Sequence, residues 1–179
     1  MLSRKRGVQA LMIAIILAVV CSIPAGAADK PLTMEQVRKI LETTRDFRGM
    51  NLQGLDLSAL DLSKVNFEKA NLKKVKFQKA NLSFANLTGT DLRGVDFSGS
   101  DLTEAALCPA DLRGANLSDT ILVRTTFNRA DVRGADLSRA DVRDASMYRA
   151  DFTGAIFKDV KNLDTVTNRA ESKGLPAGR

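Results

Sequence analysis

Residues 110–134 read ADLRG ANLSD TILVR TTFNR ADVRG, five units of five residues. The third place of every unit is apolar: Leu112, Leu117, Leu122, Phe127 and Val132. The first place is small, and the second is Asp or Asn except at Ile121 and Thr126. A period of five fits neither the 3.6 of a helix nor a long run at the 2.0 of a conventional strand. Extended outward, the frame runs without a gap from Arg45 to Asp159, giving 23 units over 115 residues. The third place is always Leu, Phe, Val or Met, and 17 of the 23 units have Asp or Asn in the second. Lys76, Ala106, Ile121, Thr126, Ser146 and Ile156 break the second place. One unit offers two apolar side chains around one polar residue, which is too little to bury alone. Stacking successive coils at the inter-strand spacing of about 4.8 Å makes a continuous core and pairs the backbone.

The A-(D/N)-L-x-x pattern resembles the pentapeptide-repeat family, over nearly all of the chain after its first 45 residues. The resemblance implies an all-β fold, a right-handed quadrilateral parallel β-helix with one pentapeptide per side and four per coil. The first and third residues of each unit would point inward. Twenty-three units then give about six coils, a rod roughly 28 Å long at that spacing.

A coil of 20 residues requires positions 20 apart to share a role, and the closing residue of the unit tests this. On the side of Leu52, Leu72, Leu92, Leu112, Val132 and Phe152 it is Gly54, Lys74, Gly94, Gly114, Gly134 and Gly154. On the other three sides only Gly49, Gly89 and Gly99 occupy it. One corner is therefore expected to need a positive φ, as a type II turn does. Phe47, Phe67, Phe77, Phe97, Phe127 and Phe157 fall on two opposite sides, with Phe152 the exception, which predicts a patterned core.

Four segments follow from this frame. Residues 1–27 carry Arg4, Lys5 and Arg6, then the apolar run Ala10–Ile23 and a small-residue site at Ala25-Gly26-Ala27. That is the composition of a secretory signal peptide cut after Ala27. Val20 before Cys21 is too large for a typical lipobox. Residues 28–45 hold a capping helix, with a Thr33/Gln36 capping box and an apolar stripe of Met34, Val37, Ile40 and Leu41. The β-helix occupies 46–160. In 161–179, a C-terminal cap or tail, the register slips by one at Lys161-Asn162-Leu163, and a short helix is expected over 164–173 before Gly174-Leu175-Pro176.

Export alters the charge argument. The whole chain has 27 basic and 21 acidic residues, a net charge of +6. Removal of residues 1–27 leaves 24 basic against the same 21 acidic, so +3, which weakens any case for a nucleic-acid partner. The chain has no His, which removes Ser-His and Cys-His pairs. Cys108 is alone after cleavage, so metal and disulfide chemistry within one chain are disfavoured. The aspartates recur at repeat spacing and are expected to hydrogen-bond the backbone. No enzyme activity, cofactor or metal site is expected.

Three outer surfaces stand out. Lys73, Arg93, Arg113 and Arg133 follow the core residue on one side, a candidate anion-binding column beside Asn71, Asp91, Asp111, Asp131 and Asp151. Their alternative role is a face neutralised by diagonal pairing. Lys64, Lys69, Lys74, Lys76 and Lys79, with Lys73, form a collar around one coil, suited to an anionic envelope lipid or polysaccharide, or to solubility alone. Ile121 and Val123 are expected to point outward, with Phe84 in a corner place of the same side nearly two coils below and Ala106, Cys108 and Pro109 around the adjoining corner, as a candidate interaction patch. An exposed Cys108 could also link two chains in an oxidising compartment.

These readings point to a non-enzymatic exported interaction or scaffold module of the periplasm, with secretion or a thylakoid lumen as other destinations. The partner would be an unidentified protein or a second copy of the chain; the alternative is a binder of anionic glycan or lipid. The resemblance also brings in family members that mimic B-form DNA and inhibit gyrase. That role needs a strongly acidic cytoplasmic rod and is disfavoured.

Overall fold

The computed structural model describes residues 30–176, and the expected signal segment lies outside them. The compact unit that begins at Pro31 holds all the bridges of the fold. Its backbone pairs by parallel bridges from residue i to residue i+20: Asp46 with Asn66, Asn51 with Asn71, Asp56 with Lys76, Asp61 with Asn81. The spacing recurs up to Asp141 with Lys161. Each bridge is a single residue, because the next three residues turn the chain through a corner. Each 20-residue coil thus carries four bridged positions, and the short segments that bear them are called walls and named by their core residues. Wall 1 holds Phe47, Phe67, Leu87, Leu107, Phe127 and Met147; wall 2, Leu52 to Phe152; wall 3, Leu57 to Phe157; wall 4, Leu62 to Val142.

The backbone bonds explain the five-residue code place by place. The third residue donates its N–H to the next coil, as Leu52 does to the Asn71 carbonyl at 2.9 Å. The second donates to the previous coil, as Asn71 does to Met50 at 2.9 Å. The fifth donates to the next coil, as Gly54 does to Lys73 at 2.9 Å. The first closes the turn onto the preceding core residue, as Val75 does to Leu72 at 3.1 Å. That leaves the fourth N–H, and the Asp or Asn two residues earlier accepts it: Gln53 to Asn51 Oδ1 at 3.0 Å, Ser58 to Asp56 Oδ1 at 3.0 Å. The second-place Asp or Asn is thus a structural part of the wall. At Ser146 the hydroxyl donates to Asn128 Oδ1 at 2.8 Å and accepts from Asn168 Nδ2 at 3.0 Å, and the Tyr148 N–H goes to Asn128 Oδ1 of the neighbouring coil instead.

First and third residues fill the core as expected. The six fully buried phenylalanines include a chain of rings from Phe47 through Phe67 and Phe77 to Phe97, with centroids 5.3, 5.9 and 5.1 Å apart. Phe67 and Phe77 meet edge to face across the interior, joining walls 1 and 3. Phe157, assigned to the core from its spacing, is only half-buried because it lies in the last regular coil. Thr90, Thr120 and Thr125 replace small apolar first-place residues and satisfy their hydroxyls on the Leu87, Leu117 and Leu102 carbonyls.

The glycine expectation needs correction. Every closing residue from Gly49 to Asp159 has a positive φ except Pro109, so all four corners need it, not one. Fourteen of these positions are not glycine, including Lys64 at +58° and Phe84 at +60°. The wall bonds on both sides of the corner hold the left-handed conformation that glycine would adopt freely.

The two ends differ. Helix α1, Met34–Thr43, begins at a complete Thr33/Gln36 capping box and buries Val37 and Ile40. Leu32 donates to the Asn51 carbonyl at 2.8 Å and fastens the segment before α1. At the other end no helix forms over 164–173. Two 3₁₀ turns, Leu163–Thr165 and Arg169–Glu171, alternate with further bridges, Ser146 to Thr167 and Asp151 to Lys173. Lys161 is still in register with Asp141, so the slip falls after it. The ladder continues as a widened coil. Gly174 closes it, because a Cβ there would lie 2.5 Å from the Phe152 carbonyl carbon.

Candidate interaction surfaces

The arginine column on wall 2 is a zipper. Arg93 holds Asp91 two residues earlier through a fork, Nε to Oδ1 at 2.8 Å and the second bond at 2.7 Å. Arg113 and Arg133 do the same with Asp111 and Asp131. Each of the first two also faces the acid of the next coil, Arg93 to Asp111 at 3.7 Å and Arg113 to Asp131 at 3.6 Å. Lys73 starts the series 3.9 Å from Asp91. Hydrogen bonds from the guanidinium groups hold the Asp91, Asp111 and Asp131 carboxyls below the usual carboxylate range. A column whose forks are already filled offers little to an incoming anion.

The corners hold their charges differently. In the coil with corners at Arg124, Arg129, Gly134 and Arg139, two arginines reach down one coil at their own corner. Arg124 bonds Glu104, and Arg139 bonds Asp119 at 2.7 Å through Nε. In the coil below the midpoint, Lys64, Lys69, Lys74 and Lys79 occupy four successive corners, each with φ between +57° and +59°. All four are exposed, as are Lys73 and Lys76. Lys69 lies 3.8 Å from Glu68. Among the described residues, no ion pair engages Lys64, Lys74, Lys76 or Lys79. The corner residues one coil above are Phe84, Gly89, Gly94 and Gly99. Below Lys69, Lys74 and Lys79 stand Gly49, Gly54 and Ala59. The collar is thus uncompensated within its own corners, and the Lys69 and Lys79 stems pass 3.8 and 3.5 Å from where Gly89 and Gly99 would carry a Cβ.

The apolar patch is smaller than its sequence suggests. Ile121 is 44% exposed and Phe84 50% exposed, but Val123 is only 8% exposed. The outward position expected for Val123 is therefore corrected: its short branched side chain lies against the wall, in a column where Ser63, Ser83 and Thr103 are also half-covered. Pro109 is exposed, whereas Ala106 and Cys108 are half-buried. Above Phe84 in its own corner column come Glu104 and Arg124, so an ion pair stands between Phe84 and the level of Ile121. The structure leaves separate apolar residues, to which Ile156, 50% exposed, is added.

A shallow open groove of ≈ 420 Å³ runs beside the wall 1–wall 2 corner, past Gly89, Pro109, Asp111 and Arg129. Its Asp91, Asp111 and Asp131 already belong to the zipper. Among the described residues, no cluster of three or more potential metal ligands is present, and no helix is long and apolar enough to cross a membrane.

A five-residue code, coils in a 20-residue register and a continuous apolar interior define a parallel β-helical solenoid. The pentapeptide-repeat model matches residues 46–78, 80–119, 110–147 and 120–159, in eight copies, and the chain belongs to the pentapeptide-repeat family. Among solved structures it is similar to Rfr23, a pentapeptide repeat protein of the cyanobacterium Cyanothece 51142, at 24% identity and TM-score 0.51, over 79% of this chain and 99% of that one. It is also similar to a trypsin-treated variant of QnrB1, a plasmid-mediated fluoroquinolone resistance protein. That match has 19% identity and TM-score 0.57, over 64% of this chain and 60% of the other. Both likenesses speak to the fold. No curated protein sequence matches the chain.

Proposed function

We propose that the protein is a non-enzymatic, exported binding module whose rod, a right-handed quadrilateral β-helix, displays side chains in fixed columns. Its partner is another protein, or a second copy of the chain, engaged through Ile121 and its surroundings. The observation that carries this reading is the column Asp101, Ile121, Asp141. Two of its members accept wall hydrogen bonds, Asp101 from Thr103 and Asp141 from Arg143, while Ile121 gives up that bond and exposes an isoleucine. A wall residue that loses a structural bond and gains no burial is explained by an outside contact. Residues 1–27 supply the address, and the periplasm is the destination that fits such a leader.

Two measurements test this together. Mass spectrometry of the protein from its native envelope should find the N-terminus at Ala28. Crosslinking in that envelope should give a discrete product that Ile121→Asp abolishes; a product unchanged by that substitution would remove the isoleucine from the interface.

A second reading, attachment to an anionic envelope component, is favoured by the lysine collar, whose charges are exposed and mostly without ion pairs. Mimicry of DNA is opposed by the zipper, in which arginine forks cover the longest acidic column of the rod.

A further inference from the structure

The four corner lysines of residues 64–79 differ from every other corner set in the rod, and the difference has a geometric meaning. Lys64, Lys69, Lys74 and Lys79 follow walls 4, 1, 2 and 3 in turn, so they point away from the axis in four successive directions. Lys73 and Lys76 add charge on either side of the Lys74 corner. Glycine or alanine occupies most of the flanking corners, so the ammonium groups stand above flush surface rather than among competing side chains. We infer that this band is a binding track for a flexible linear anionic polysaccharide that crosses the rod and follows it around one coil. The inference rests on the reading of the rod as a binding module, and it assigns the partner class of the collar.

Charge complementarity sets the sign of the ligand, and the arrangement sets its form. A flat lipid surface meets one wall at a time, at best three lysines, Lys69, Lys73 and Lys74 on wall 2 or Lys74, Lys76 and Lys79 on wall 3, and the others face away. A flexible chain meets the lysines in sequence. Lysine suits such a ligand, being a hydrated point charge on a flexible stem rather than a fork that fixes one planar group. Single-stranded nucleic acid would call for stacking platforms. The corner residues of the collar and of the coil above include one aromatic side chain, Phe84.

The test uses the purified chain with heparin, a linear sulfated polysaccharide, in solution at a series of NaCl concentrations. The comparison probes are a heparin disaccharide, phosphatidylglycerol vesicles and single-stranded oligothymidylate. Heparin should bind more tightly than any of the three. Replacing Lys64, Lys69, Lys74 and Lys79 together by Gln should weaken heparin binding by a factor of roughly 30 or more. It should also flatten the dependence of log affinity on log salt by about one unit per lysine removed. The same four residues changed to Arg should retain binding, and thermal melting should show all variants folded. Arg93, Arg113 and Arg133 changed together to Gln, a loss of three positive charges outside the collar, should weaken binding by less than about threefold. Equal losses in the two charge-removal variants would reduce the effect to net charge and overturn the inference. Tighter binding to vesicles, to oligothymidylate or to the disaccharide would overturn it as well. Failure of heparin binding alongside an Ile121-dependent crosslink would sink the collar and leave the binding module standing.

Discussion

Two coils of this rod carry positive charge at their corners, and they handle it in opposite ways. The arginine coil is built into the structure. Arg124 and Arg139 find an acid 20 residues earlier at the same corner, so each charge ties two coils together. The lysine coil is built outward. Its corners have uncharged residues on both sides, and two of its stems lie over glycine. The contrast shows that a solenoid corner has two separable outputs, cohesion along the axis and display away from it. The choice between them is made by the residue one coil away rather than by the corner residue itself.

The core under the two coils should break them unequally. Phe77→Ala removes a ring that stacks on Phe97 and meets Phe67, and it should cost about 3–5 kcal/mol in urea denaturation. Phe127→Ala, beneath the arginine coil, loses one ring contact, to Phe152, and should cost about 1 kcal/mol less. Equal costs would mean that the ring chain adds nothing beyond apolar area.

Ile121→Asp sharpens the comparison from the wall. It restores an acceptor for the Val123 N–H and should raise stability by about 0.5–1.5 kcal/mol while abolishing the proposed contact. A fall in melting temperature would show that Ile121 is structural.

The legibility of the chain followed the reach of each interaction. The five-residue period, the 20-residue coil and the Thr33/Gln36 box rest on bonds between residues at fixed spacing, so they are written in the sequence itself. Glycine misled, because Gly54, Gly94 and Gly114 marked where the left-handed corner is cheapest, while Lys64 and Arg139 adopt it under the grip of their wall bonds. Val123 misled because burial of a wall residue depends on the side chains above and below it. The expected helix at 164–173 failed because helical spacing carried no information about bridges to Ser146 and Asp151. The two kinds of corner charge differ in the residue 20 positions earlier, Glu104 and Asp119 for Arg124 and Arg139 against Gly49, Gly54 and Ala59 for Lys69, Lys74 and Lys79, a signal that reading one unit at a time passes over.

Acid separates the arginine-held acids from the lysines. The carboxyls of Asp91, Asp111, Asp131 and Asp119 are held below their ordinary value by hydrogen bonds from arginine. Their contribution to stability is therefore complete above the unfolded value near 3.8 and is lost as pH falls through the lowered values. Melting curves should decline below about pH 4. In the Arg93, Arg113, Arg133 to Gln variant that decline should be shallower, and in the collar variant unchanged.

The smallest effect falls on the collar. Lys74→Gly relieves a left-handed lysine, at the expense of a looser unfolded chain, and should raise stability by about 1 kcal/mol or less. A lysine that stabilises its corner would argue that the collar belongs to the scaffold.

The widened last coil has a consequence of its own. Bridge spacing drifts from 20 residues at Asp141 to 21 at Ser146 and 22 at Asp151, and the Gly174 backbone lies hard against that of Phe152. A regular open coil is a template on which another copy could continue the ladder indefinitely. An end whose repeat length no longer matches its own beginning is a poor template. The irregular coil thus breaks the arithmetic that built the regular ones, and a second ladder laid on it would find its bridges out of step.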